Sequence, residues 1–552
     1  MLSTVWDYII VGGGLAGSVI SSRMLEYNSS LSILLIEAGE DTRSRTDILY
    51  TNATNLMGGE LDWQYPTEPV AALNNRSLIF NQGKGLGGGA AINACGYTRG
   101  PKVDYDEWAE KAGDPRWNYE NQLPYMKKLE DWFSTTNPAQ HGTGGPLHVA
   151  SVTSTGRAYP LREAVAAGWD ELGVPSLPGN DSNAGDNIGR AELTEVRRNG
   201  LRELPPVIYP LDGVTILTDT LVEKIILSNS SVCGALEARG VRLANGTQIS
   251  SRNVISAAGA YRSPQLLMLS GIGPKEQLQQ HNISVRLDLP EVGKNLIDHM
   301  SFYQYWKLKN PEKGYALGST NPIFAQPEFT TGYPIDWVTS TGVDKTGLAG
   351  AIAKDEGSAP DAASHPLLKN NRTFLETFVI YQAYSPADPE VPMDGSHIYT
   401  NVVSFLPTSR GSVRLNSSNP ADGPLIDLNY LETEVDRHVY REGVRQLTKL
   451  MLDTAFGREY VAGETAPDAF PAASPGDSDD YLDARLAAGG VTTWHPHGTC
   501  AMGEVVDSEF RVKGVRGLRV VDASVLPVPM AAHLMAPLYA MAEQAAAIIS
   551  AP

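Results

Sequence analysis

The sequence predicts a two-domain α/β protein. One domain is built on a parallel sheet with its helices, the other on an antiparallel sheet. Three observations lead there. The chain has 552 residues, whereas a single hydrophobic core stops growing at roughly 250–300. Its start reads as strand, glycine turn, helix and second strand, the opening of a parallel βαβ unit. Between about residues 300 and 490, β-branched and aromatic runs at 377–381 and 398–405 read as strands of an antiparallel sheet.

The N-terminal unit is the most specific of these signals. Asp7-Tyr-Ile-Ile-Val11 is an apolar strand running into Gly12-x-Gly14-x-x-Gly17. Ser18 to Leu25 has helical apolar spacing, Ser32 to Ile36 is a second strand, and Glu37 lies twenty residues after Gly17. Each part has a physical task. Gly12 permits the tight turn, Gly14 lets backbone approach a pyrophosphate, and Gly17 lets helix and strand pack closely. The helix start, with Leu15 and Ala16, aims free N–H groups at phosphates. Glu37, with Ala38 beside it, can accept hydrogen bonds from a ribose hydroxyl. Dinucleotide binding is expected. The motif alone does not separate FAD from NAD, but its place at the extreme N-terminus and the following Ala38-Gly39 lean to FAD.

Composition narrows the remaining classes. The chain is 42% hydrophobic and 19% charged, as in globular proteins, with a net charge of −19 and a pI near 5.0. An acidic surface disfavours nucleic acid and anionic membrane as partners. The longest apolar run, Ala531 to Ile549, contains His533, Glu543 and Gln544. Charge inside a membrane span is costly, so a buried helix is expected and no span. Cys95, Cys233 and Cys500 are too few for a disulfide framework and are expected to be buried thiols. Nine Asn-x-Ser/Thr sites (Asn28, Asn52, Asn75, Asn180, Asn229, Asn245, Asn282, Asn371, Asn416) favour a secreted protein whose leader is absent here over a cytoplasmic one.

A second stretch, Gln82-Gly-Lys-Gly-Leu-Gly-Gly-Gly-Ala-Ala-Ile-Asn-Ala-Cys-Gly-Tyr-Thr-Arg-Gly100, is rich in glycine and small residues. A flexible linker would not carry Ile92, Asn93, Tyr97 and Arg99 among its glycines. The stretch resembles the first signature of the glucose–methanol–choline oxidoreductases, G-K-x-L-G-G-S-S-x-x-N-x-x-x-x-x-R-G. The resemblance implies that Gly83, Leu86, Gly87, Gly88, Asn93 and Ala94 line a flavin. Gly89-Ala90 stands where family members usually have Ser-Ser, and Gln82 where many have Arg. Some members attach the flavin through a His just before the Asn. Ile92 stands there, so non-covalent FAD is expected.

The resemblance continues along nearly the whole chain. Val222, in the strand-like run Thr220 to Ile226, matches a position that meets adenine. Ala258 to Gly273 is similar to the second signature, G-A-x-x-S-P-x-L-L-x-L-S-G-I-G, and Pro264 is expected in the first turn of a helix packed through Leu266, Leu267 and Leu269. Leu289 to His299 is similar to P-x-V-G-x-N-L-x-D-H, and His299 is expected to be structural, near the adenosine end. Pro407 to Leu415 resembles P-x-S-R-G-x-V. Trp494-His-Pro-His-Gly-Thr-Cys-Ala-Met-Gly503 looks like H-x-x-G-T-C-x-M-G, which implies that His495 is the catalytic base. His533 takes the second catalytic position. Asp522, Ala523, Leu534 and Met535 are expected against the flavin, and His497 is expected to be structural. His495 and His497 have no thiolate or carboxylate cluster beside them, so no metal site is expected. Segments 311–326 and 462–480, rich in Pro, Gly, Ala and Ser, are expected to be loops.

The family resemblance implies a Rossmann-like FAD-binding domain from 1–150, 206–300 and 490–552, and a substrate-binding domain from 151–205 and 301–489. It implies a small-molecule alcohol as substrate, oxidised to the carbonyl with His495 as base and electrons passed to O2 to give H2O2. An FAD dehydrogenase using a quinone-type acceptor is the nearest alternative. A hydroxynitrile lyase, whose H-x-H-G segment His495-Pro-His-Gly498 echoes, is the alternative of another class. Trp63, Tyr97, Trp306 and Tyr384 are candidates for a substrate pocket, against the plainer reading of core aromatics. Substrate identity and oligomeric state leave no mark in the sequence.

Overall fold

A computed structural model describes residues 5–50, 56–229 and 236–551. Cys233 and Asn52 lie outside the described residues. In chain order the main elements are β1 (Trp6–Val11), α1 (Leu15–Tyr27), β2 (Ile33–Ile36), β3 (Gly189–Glu192), β4 (Thr215–Leu217), β5 (Val222–Asn229), β6 (Leu236–Leu243) and β7 (Gln248–Ser256). They continue as α2 (Gly259–Leu269), β8 (Met300–Leu308), β9 (Trp337–Thr341), β10 (Leu375–Ile380), β11 (His397–Ser404), α3 (Glu434–Leu452), β12 (Val461–Thr465), β13 (Leu518–Val520) and α4 (Met535–Ser550).

The first sheet places β4, β2, β1 and β7 side by side in parallel. Strand β7 is shared along its far edge: residues 248–250 pair antiparallel with β6, and residues 254–256 pair in parallel with β13. The central strands are covered on both faces, so they read as unbroken apolar runs rather than alternation. Their carboxyl ends, Val11, Ile36, Ser256 and Val520, finish on one side of the sheet. That edge is where open α/β sheets bind ligands, and Gly12, Glu37, Ala257 and Asp522 follow from it.

The second sheet is antiparallel, in the order β12-β8-β11-β10-β9-β3. Helix α3, capped by the Thr433 hydroxyl accepting the Asp436 N–H, packs on β10 and β11 through a face that includes Val439, Val444 and Leu447. Helix α4 packs on α1 and on the helix Tyr119–Leu129. Its buried Glu543 accepts from Arg23 Nε at 2.8 Å and the Tyr209 hydroxyl at 2.9 Å, and pairs with Lys128. The expected buried C-terminal helix is therefore present. Among the described residues no helix is long and apolar enough to cross a membrane. Cys95 and Cys500 are buried free thiols.

Three expectations change in detail. The run read as a strand from 377 begins at Leu375 and so includes Glu376. The start of the segment read as a loop from 462 belongs to strand β12 (Val461–Thr465), completed by pairing with β8. Pro264 lies inside α2, five residues past its start. A proline there leaves the carbonyl four residues earlier without its N–H donor. The Thr499 hydroxyl fills that place by donating to the Ala260 carbonyl at 2.5 Å.

One buried ionic group anchors the end of the second glycine stretch. Arg99 donates through Nε to Glu130 at 2.7 Å and pairs with it again through Nη2, and its Nη1 reaches the Gln140 carbonyl at 2.9 Å. Glu130 also accepts from the Tyr97 hydroxyl at 2.6 Å and faces His141 Nδ1 at 3.0 Å. Removing one partner of such a pair strands the other charge. Arg99→Leu is expected to cost about 3–5 kcal/mol of folding stability, read as a lowered denaturant midpoint. A change within about 0.5 kcal/mol, typical of a surface site, would remove Arg99 from the list of supports.

Candidate active site

A cavity of about 1020 Å³ extends from the carboxyl ends of the parallel strands to the antiparallel sheet. Two glycine loops meet on its wall. The Gly87 N–H donates to the Gly13 carbonyl at 2.8 Å. A side chain on Gly88, whose φ is +52°, would meet the Gly14 Cα at 2.8 Å, and one on Gly83 would strike the Gly88 carbonyl at 2.1 Å. Only bare backbone permits this contact.

Most of the predicted cofactor residues line this cavity: Gly12, Gly14, Leu15, Ala16, Glu37 and Ala38 at one end, with Val222; Gly83, Gly88, Asn93 and Ala94 along it; Asp522, Ala523, Leu534 and Met535 toward the other end. Three do not. Gly17 sits behind the wall, where a Cβ would lie 2.0 Å from the Gly12 carbonyl, so its task is helix–strand packing. Leu86 is turned into the core under Gly13, and its carbonyl accepts the Thr42 hydroxyl. Gly87 meets the first loop through its N–H rather than facing the cavity.

The lining fits a flavin dinucleotide. Glu37 takes the Gly13 and Gly39 N–H groups at 2.8 and 2.9 Å, one on each oxygen, and keeps lone pairs for further donors. Burial pushes its proton affinity up. Asp522 accepts the Gly259 N–H at 2.9 Å at the start of α2, together with the Ser263 hydroxyl at 2.5 Å. Asn93 is oriented by Arg202, which donates to its Oδ1 at 2.7 Å.

At the far end His495 and His533 stand edge to face, ring centroids 4.9 Å apart and planes at 88°. Both line the cavity. His533 Nε2 lies 2.7 Å from Glu376 Oε1, the second residue of β10. The His533 N–H donates to the Thr98 hydroxyl oxygen at 2.6 Å, so the second glycine stretch also holds this residue. His495 is held by its backbone: its N–H donates to Asp298 at 2.7 Å. Trp494 before it has φ +59°, a costly conformation for a bulky residue. The Trp494 N–H on Thr492 Oγ1 and its indole N–H on Asn81 Oδ1 secure that turn.

The expected place of His299 is corrected. It does not lie near the adenosine end. Its Nδ1 is 3.0 Å from His495 Nδ1, because the 298–299 segment runs beside the 492–497 loop. His497 is buried, off the cavity, and its Nδ1 lies 2.8 Å from the His495 carbonyl, where the ring N–H bolts the loop together. Burial first, then the neighbouring imidazoles His533 and His497, holds the His495 proton affinity well below the ordinary histidine value. Burial and the same cluster hold His299 down as well, and burial pushes His497 down to about 4. The first two rings are therefore neutral at pH 7.

Beside the histidines the cavity is walled by Tyr303, Tyr305, Tyr333, Phe378 and Tyr399, with Asn401. Of the four aromatic candidates, Trp63 and Tyr384 line it. Tyr97 and Trp306 do not: both are buried, with polar atoms bonded to Glu130 and to the Thr400 hydroxyl. Sequence reasoning missed Glu376. Its signal was a carboxylate inside a strand whose only other polar residue is Thr377, all six residues of which are buried. Such residues are almost never buried without a partner.

Comparisons agree with this geometry. Family models described as GMC oxidoreductase match residues 6–301 and 407–542. The chain is 40% identical to a GMC-type oxidoreductase, acuG, of Aspergillus aculeatus over the whole of both chains. It is 34% identical to an oxygen-dependent choline dehydrogenase of Paraburkholderia phymatum, covering 99% of this chain and 92% of that one. Among solved structures, pyridoxine 4-oxidase from Mesorbium loti superposes with a TM-score of 0.80 at 27% identity, covering 98% of each chain. A formate oxidase does so with a TM-score of 0.86 at 25% identity, covering 99% of this chain and 98% of that one. A glycine-walled dinucleotide cavity ending at two facing histidines, on this fold and with these matches, makes the chain a member of the GMC oxidoreductases, the FAD-dependent family that acts on alcohol-type substrates.

Proposed function

We propose that the protein oxidises a primary or secondary alcohol to the carbonyl compound, with His495 as the base and O2 as the acceptor that becomes H2O2. The observation that carries this reading is the His495–His533 pair, 4.9 Å apart at the flavin end of the cavity. FAD, when bound, supplies the hydride acceptor. The chain's own residues do the rest. His495, neutral in its buried place, takes the hydroxyl proton on the ring nitrogen that faces the cavity. His533, held by Glu376, is the second hydrogen-bond partner of the hydroxyl oxygen. The tyrosines of β8 and β11 exclude water from this end. The two electrons leave with two protons to O2. An acceptor of this kind is supported by a relative whose name is oxygen-dependent and by neighbours that are oxidases.

The same proposal includes the lining residues as the FAD site, bound without a covalent link since Ile92 stands on the wall before Asn93. It divides the chain into an FAD-binding part (1–150, 206–300, 490–552) and a substrate-binding part (151–205, 301–489). It also includes secretion and glycosylation: Asn28, Asn75, Asn229, Asn245, Asn282, Asn371 and Asn416 are exposed.

Anaerobic mixing of the holoenzyme with a panel of alcohols, followed by air, tests the reading. Bleaching of the flavin and fast recolouring with peroxide release is the expected result. Slow recolouring would move the acceptor to a quinone. A flavin that dithionite bleaches and no alcohol does would end the alcohol reading and turn attention to cyanohydrin cleavage. His495→Ala is expected to slow the bleaching roughly 10²–10⁴-fold, the range of a lost general base.

Two further outcomes follow from the surroundings of the pair. Glu376→Gln keeps the size but loses the charge behind His533, and kcat is expected to fall about ten- to hundredfold, the worth of a hydrogen bond to a charged group. An unchanged kcat would make Glu376 merely structural. His495 acts as the neutral ring, and its proton affinity lies below the usual one. As pH falls, kcat/KM should therefore hold through about 6.5, the ordinary value, and drop only further into acid. An acid limb at or above that value would contradict the assignment.

A further inference from the structure

We propose that His299 is a positioning residue that fixes the tautomer of His495, keeping the proton on Nδ1 so that the lone pair of Nε2 faces the cavity. The inference deepens the reading of His495 as a base and rests on it for its catalytic meaning. It begins from the 3.0 Å between the two Nδ1 atoms, with the rings at 84°. Two lone pairs do not meet at that distance, so one ring donates to the other. Which one donates is decided by a second neighbour. Thr493 Oγ1 lies 3.4 Å from His495 Nδ1, and its own proton goes to the His299 carbonyl at 2.5 Å. It turns only lone pairs to His495. A proton on His495 Nδ1 serves both neighbours. A proton on His299 Nδ1 would leave the Thr493 oxygen facing a bare nitrogen.

His299 Nε2, the nitrogen that then carries that ring's proton, is buried without a hydrogen-bond partner among the described residues. His495 Nε2 is bonded to no described residue, and His495 lines the cavity. The backbone holds the two rings in register. Asp298, next to His299, accepts the His495 N–H at 2.7 Å and the Thr492 hydroxyl at 2.7 Å. Ile297 and His497 exchange both backbone hydrogen bonds at 2.9 Å. The opposite tautomer would present an N–H to the substrate hydroxyl, a donor where a base is needed.

The test uses the holoenzyme labelled with ¹⁵N-histidine. Long-range proton–nitrogen correlation identifies the His495 ring as the pattern lost in His495→Gln. A protonated, pyrrole-type Nδ1 and a bare, pyridine-type Nε2 are expected. The reverse pattern overturns the proposal outright, whether or not a substrate is known. His299→Phe should give a mixture of His495 tautomers and slow flavin bleaching by the alcohol found in the panel by roughly tenfold or more. His299→Asn, whose side-chain oxygen can take the Nδ1 proton, should restore the single tautomer and most of the rate. Equal losses in both variants with the wild-type tautomer intact would reduce His299 to packing, and the flavin spectrum of each reports that it has folded. If no alcohol bleaches the flavin while the tautomer is as expected, the functional reading fails and the positioning stands.

Discussion

The structure depends on a place where two backbones touch with nothing between them. The turn after β1 and the loop around residue 87 meet through a peptide hydrogen bond and bare α-carbons. A side chain at Gly88 would push them apart, and one at Gly83 would displace the Gly88 carbonyl behind that contact. Glycines lose more conformational freedom on folding than other residues, about 0.5–1 kcal/mol each relative to alanine. The order of the loops must therefore come from their flanks. The Thr42 hydroxyl holds the Leu86 carbonyl, Arg202 holds the Ala90 carbonyl and Asn93, and Arg99 is locked to Glu130. Charged residues far from any reacting atom thus keep the cofactor wall in shape.

The two facing histidines are made unlike by what stands behind them. His533 has a carboxylate against one nitrogen. His495 has another imidazole, a threonine hydroxyl and a second buried histidine in its loop. Similar side chains in different surroundings take different roles. The strained backbone at Trp494 is part of the same arrangement, because it turns the following ring toward its partners and is held by Thr492 in its own loop and by Asn81 on another segment.

Much of this was legible in the sequence, because it depends on local spacing. The glycine turn of β1, the acidic residue after β2 and the glycines from 83 onward have tasks set by backbone geometry, and backbone geometry follows from residue type. The parts that escaped depend on which segments the fold brings together. Nothing near Glu376 in the chain mentions His533, 157 residues away. His299 was misplaced because a segment was assigned to one end of the cavity as a unit, whereas it crosses to the other end beside the 492–497 loop. Leu86 was expected on the wall because its neighbours are there, and it turns inward because it is the apolar residue among glycines. Pro264 would have marked a helix start by local rules. A hydroxyl 235 residues away made its interior position tolerable.

The His533–Glu376 contact has a consequence for how this enzyme can vary. One partner follows the parallel sheet and the other is on an inner strand of the antiparallel sheet. The 2.7 Å contact ties the two layers together across their seam. A chimera that joined the antiparallel sheet of one relative to the parallel-sheet layer of another would have to bring both halves of this contact from compatible parents, which makes the seam a unit of descent rather than a boundary between interchangeable parts.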